Sequence, residues 1–104
     1  MKSALLVLPL ALVATPAAAS SPDAWAKLNR TVAAKCMKAS GLVAPRASAV
    51  IGFADSLGKV ATLVSGRYPG ARLRGVPGRM LCVYDQRTAR TWVSEAKGWS
   101  APAG

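Results

Sequence analysis

The sequence predicts an α+β domain in which one N-terminal helix packs on a four-stranded antiparallel sheet as a two-layer sandwich held by one disulfide. Three observations lead there. A capped apolar stripe at helical spacing runs from Ser21 to Gly41, and short runs of β-branched and alternating residues follow Pro45. The chain also has two cysteines, Cys36 on the helical stripe and Cys82 in the middle of an alternating run. Both can face one core only if the helix lies across the sheet.

The pairing of those cysteines rests on compartment. Met1-Lys2-Ser3 supplies a short positive start, Ala4 to Val13 an apolar run, and Ala17-Ala18-Ala19 the small residues a signal peptidase accepts before Ser20. Residues 1–19 are therefore read as a cleaved secretory signal peptide. Residues 20–104 form a single small exported domain, periplasmic or secreted, with a flexible tail from about Lys97. A leader retained as a membrane anchor is the alternative. Pro9 and the polar Ser20-Ser21-Pro22 break leave too short a span for it. In an exported chain a lone cysteine pair is most simply a disulfide, with free or intermolecular thiols as the alternative.

Ser21 suits a helix N-cap, Pro22 the first helical position, and Asp23 the positive end of the helix dipole. Trp25, Leu28, Val32 and Cys36 then recur at spacings of three and four, while Lys27, Arg30 and Lys38 fall on the opposite side. Gly41 supplies the stop. The first strand is expected over Ala47 to Ala54, followed by a turn at Asp55-Ser56-Leu57-Gly58 and a second strand from Lys59 to Ser65. A third spans Arg79 to Asp85, with Met80, Cys82 and Tyr84 on one face and Leu81 and Val83 on the other. A short loop over Asp85 to Ala89 leads into a fourth, Arg90 to Glu95. Trp25, Phe53, Tyr84 and Trp92 occupy positions compatible with a core.

Between the second and third strands, Gly66 to Gly78 holds four glycines, two prolines and three arginines, too long for a hairpin turn on this reading. Loops of this kind are often functional, and glycine beside arginine lets backbone and guanidinium groups approach an anion closely. The candidate binding residues are Arg67, Tyr68, Arg72, Arg74, Arg79, Arg87 and Arg90, with Asp85 the only acid among them. Tyr68 and Trp99 add aromatic rings beside cations.

The net charge is +10 for the whole chain, or +9 once Lys2 leaves with the leader. Such a field favours anionic partners: a lipid or glycan surface, or an acidic partner protein. Nucleic acid is disfavoured by export and by the lack of any nucleic-acid-binding signature.

Chemistry is sparse. There is no histidine, which removes the commonest general base and metal ligand, and four scattered carboxylates offer no paired acid and base in sequence. No catalytic residue, metal site or cofactor is expected. Ser56-Leu57-Gly58-Lys59 matches the S-x-x-K string of serine acylases, but their companion elements are missing. The glycines from Gly52 to Gly58 miss phosphate-loop spacing by one residue, and Val60 replaces the magnesium-binding hydroxyl. The expected function is a non-catalytic binding domain for an anionic envelope component or partner protein. A protein inhibitor or accessory subunit of an envelope or secreted complex is the alternative.

Overall fold

The computed structural model describes residues 21–101; the expected leader, residues 1–19, lies outside them. Helix α1 spans Pro22–Ser40 and starts as its sequence dictates: the Ser21 hydroxyl accepts the Ala24 N–H at 3.1 Å, and Pro22 follows the cap. It ends on Gly41 at φ +70°, a left-handed conformation that glycine adopts without steric cost. Ser40 tightens the exit, donating to the Met37 carbonyl at 2.7 Å and accepting the Leu42 N–H at 3.2 Å.

Five strands follow: β1 Val43–Ala47, β2 Ile51–Gly52, β3 Lys59–Arg67, β4 Pro77–Asp85 and β5 Thr91–Glu95. The sheet is antiparallel, in the order β1-β3-β4-β5, with β2 continuing the β1 edge along β3. One helix on an antiparallel sheet with a single disulfide is the expected fold.

The edge differs from the expected Ala47 to Ala54 strand. It begins four residues earlier and is broken between Ala47 and Ile51. At the break Ser48 keeps one backbone bond, its N–H to the Leu63 carbonyl at 2.8 Å, while its hydroxyl accepts the Leu63 N–H at 3.0 Å and its carbonyl accepts the Thr62 hydroxyl at 2.8 Å. Farther along the edge the register shifts between Val43 and Arg46, with Ala44 at φ +51°. Pro45 removes a donor from this edge, a position where proline is tolerated.

The central hairpin is longer than expected. Arg67 pairs with Pro77 and Gly66 with Gly78, so the connection shrinks to residues 68–76 and is a true hairpin loop. A Cβ on Gly66 would lie 2.8 Å from both Leu42 Cβ and the Val43 carbonyl oxygen, and one on Gly78 would lie 2.9 Å from Leu42 Cδ2 and 3.0 Å from the Tyr68 ring. The glycines that resemble loop formers in sequence are here a ladder pair that seats Leu42 and Tyr68.

The core is small. Val32 and Cys36 of α1 meet Leu42, Val60, Val64, Cys82 and Tyr84, with Leu28, Met37, Val50, Met80 and Val93 at its margin. Cys36 and Cys82 are bonded, with Cα atoms 5.8 Å apart and neither side chain exposed. Of the aromatics expected inside, only Tyr84 is buried; Trp25, Phe53 and Trp92 are 41, 48 and 42% exposed. The reason is geometric. A single helix covers a single face of the sheet, Trp92 alternates onto the other face, and Trp25 and Phe53 lie beyond the short β2 edge, beside Gly52.

The bridge closes a loop across 46 positions of sequence. Replacing both cysteines by alanine is expected to lower unfolding free energy by about 4 kcal/mol on the chain-entropy scale, measured as a fall in urea midpoint. Gly66→Ala is expected to cost about 1–3 kcal/mol by overpacking, whereas Gly66 has no left-handed φ to lose.

Candidate anion-binding surface

Strand alternation sorts the cations. Val60, Val64, Cys82, Tyr84 and Val93 face α1, so the residues between them face away from it. On that uncovered face the ladder register sets side chains in rows. Arg46, Ser65 and Arg79 form one row; Leu63, Leu81 and Ser94 the next; then Ile51, Ala61, Val83 and Trp92; and finally Lys59 and Asp85, with Arg90 bonded to Asp85 through the backbone. Arg67, opposite Pro77, lies beyond the first row.

Four of the sequence-selected residues gather at the hairpin end. Arg67 donates to the Gly75 carbonyl at 2.7 Å, which ties the strand end to the loop carrying the exposed Arg72 and Arg74. Arg79 donates to the Ser65 hydroxyl at 3.3 Å and to the Trp99 carbonyl. That second bond, with Trp99 N–H on the Ala96 carbonyl at 3.0 Å, folds residues 96–99 back toward β4. Tyr68 turns to the helix side instead, packing over Gly78 and donating its hydroxyl to Glu95 at 2.7 Å. This bond to a carboxylate, then desolvation and the Glu95 charge, raises the Tyr68 pKa above that of an ordinary phenol. A cleft of about 440 Å³ opens here, lined by Tyr68, Leu73, Val76, Arg79, Glu95 and Lys97 among others.

Arg87 and Arg90 are not part of that group. They sit at the opposite end of β4, six residues from Arg79 to Asp85, or about 20 Å along an extended strand. There Asp85 organises the β4–β5 turn. Its Oδ1 accepts the N–H groups of Arg87 at 2.8 Å and Thr88 at 3.3 Å, while Lys59 lies 3.6 Å from Oδ2 and the Arg87 guanidinium 4.0 Å from Oδ1. The Arg87 N–H is the main cause of a lowered Asp85 pKa, supported by Thr88, Lys59 and the Arg87 charge, with burial opposing. Lys59, the lysine of the S-x-x-K string, is the ion-pair partner of Asp85. It also lies 5.9 Å from the Trp92 ring, and Arg90 lies 5.1 Å from the same ring.

Sequence reasoning missed Arg46, Lys59 and Lys97. Lys97 falls in the expected tail, Arg46 precedes the expected strand, and Lys59 reads as a strand start and as the lysine of the S-x-x-K string. Knowing the register would have found Arg46 and Lys59, because both fall on the same parity as Arg67 and Arg79. Among the described residues no three histidine, cysteine or carboxylate side chains converge as a metal site. The surface offers electrostatic attraction, aromatic faces and hydrogen-bond donors. Compared with protein-family models, with curated proteins and with solved structures, the chain finds no match.

The lowered Asp85 pKa has a defined pH signature. An acid whose pKa is depressed on folding contributes stability above its unfolded value, about 3.9, and that contribution is lost as pH falls through the folded value. Urea midpoints from about pH 2 to about pH 7 are expected to fall at the acid end for the native chain. Asp85→Asn is expected to be less stable at neutral pH and to flatten this acid limb.

Proposed function

We propose that this is a non-catalytic domain, periplasmic or secreted, that binds an anionic component of a cell envelope. The observation that carries the reading is the placement of Arg67, Arg72 and Arg74 on one hairpin end, beside a cleft lined by Arg79 and Lys97. The one carboxylate lining that cleft, Glu95, is engaged by Tyr68. Guanidinium groups suit phosphate and carboxylate geometry, and the apolar Leu73 and Val76 beside them suit an amphiphilic ligand. The disulfide is compatible with an oxidising compartment. No described helix is long and apolar enough to cross a membrane.

A second reading, an inhibitor or accessory subunit, draws support from the β5 edge. Ala96 N–H bonds to the Arg79 carbonyl and Asp85 N–H to the Arg90 carbonyl, so alternation points the backbone groups of Thr91, Val93 and Glu95 away from β4. No bulge or proline interrupts that strand. A stoichiometric protein recovered with the untagged domain from native envelope would favour this reading.

The test of the first reading replaces Arg67, Arg72, Arg74 and Arg79 together by glutamine. Association with anionic vesicles or lipopolysaccharide, measured at low and high salt, is expected to weaken with salt for the native chain and to drop at least about tenfold for the variant. Binding that ignores both the substitutions and the salt overturns the proposal.

A further inference from the structure

The uncovered face of the sheet has a layout of its own, separate from the hairpin cleft. Its two middle rows are apolar: Leu63 and Leu81, then Ile51, Ala61, Val83 and Trp92. Cations border this band on both sides, Arg46 and Arg79 toward the hairpin, Lys59 and Arg90 toward the β4–β5 turn. The centre of the band is closed and its margins are open: Ala61 and Leu63 are 4 and 8% exposed, whereas Ile51 and Trp92 stand 58 and 42% exposed, and the disulfide and the main core cluster lie on the other face. The acid on this face, Asp85, is already satisfied by two backbone N–H groups and Lys59.

We infer that this face docks on the surface of an anionic lipid bilayer, with Trp92 and Ile51 entering the headgroup region and the bordering cations resting on lipid phosphates. The inference rests on the anion-binding reading, adds a second surface beside the hairpin and names the partner. Charge complementarity selects the occupant. A protein-binding patch is depleted of charge at its centre and has a polar rim with no required sign of charge, whereas an anionic bilayer asks for cations at the border. This band is bordered by cations on two sides, about 20 Å apart along the strands. Tryptophan beside lysine and arginine is the residue set that settles at a membrane interface, where the ring lies at headgroup depth and long cationic side chains reach the phosphates. Lys59 and Arg90 already lie 5.9 and 5.1 Å from the Trp92 ring centroid.

The experiment isolates Trp92 as the only tryptophan by Trp25→Phe and Trp99→Phe, with retention of the disulfide confirmed by mass. Its emission is followed against vesicles of neutral lipid, of mixed neutral and anionic lipid, and of the mixed composition with brominated acyl chains. The expected result is a blue shift with anionic vesicles only, reversed by salt, and quenching of at least about twofold by the brominated chains. In the otherwise native chain, Ile51→Ser with Trp92→Ser is expected to weaken vesicle affinity by about tenfold or more, since both sites lie outside the core. Anionic vesicle binding with unmoved Trp92 emission overturns this inference and leaves the hairpin reading standing. No vesicle binding at low salt overturns the bilayer inference, and the hairpin reading then falls only if lipopolysaccharide binding is absent too. An equal response to neutral vesicles, an equal shift with soluble polyphosphate, or burial of Trp92 only by a stoichiometric envelope protein each overturns the bilayer as the partner.

Discussion

The Cys36–Cys82 bridge is the constraint on which the architecture turns. A chain this short buries little apolar surface, and its core cluster has only seven buried members, two of them the cysteines themselves. The bond places the C-terminal part of α1 on the middle of β4, so the packing contacts around it form between elements already held together. Because one helix satisfies one face, the opposite face needs no packing partner to keep the fold. Around the buried Ala61 and Leu63 its outer positions are open, and there a small domain can carry arginine, lysine and tryptophan at low cost to stability.

The two ends of the β3–β4 hairpin are secured by different means. At the loop end, a facing pair of glycines admits Leu42 and the Tyr68 ring, and Tyr68 ties this corner to β5 through Glu95. At the other end, polar chemistry takes over. Asp85 gathers two turn N–H groups and Lys59, and Gln86 N–H reaches the Gly58 carbonyl at 2.9 Å, joining the β4–β5 turn to the start of β3. Apolar close approach fixes one end and an anion ringed by donors fixes the other, so the rows of cations between them keep constant spacing.

Much of this could be read in the sequence because it depends on local rules. The helix start at Ser21 and Pro22, its end at Gly41, and the alternation of Met80, Cys82 and Tyr84 follow from caps and period. The misreadings came from residues whose meaning depends on distant neighbours. Gly66, Pro77 and Gly78 carry strong local turn preferences and were assigned to a loop, but Leu42 and the ladder claim them for strands. Trp25, Phe53 and Trp92 follow the apolar pattern, which reports that a face is apolar and not whether another layer exists to cover it. The arginines cluster between positions 67 and 90 in sequence, yet an extended strand carries Arg87 and Arg90 far from Arg67. Adjacency along the chain became opposite ends of a sheet, while Arg46 and Lys59, distant in sequence, joined the same face.

The hairpin loop and the disulfide together have a consequence for how the molecule responds to proteases. Arg72 and Arg74 are exposed in the loop of residues 68–76, where a trypsin-like enzyme meets cleavable bonds on an irregular backbone. A cut after either falls between the two half-cystines, so the pieces remain one covalent molecule, and the nine paired positions of β3 and β4 still hold them together. The same tip can thus be opened, extended or supplied with new termini while the rest of the sheet keeps its order.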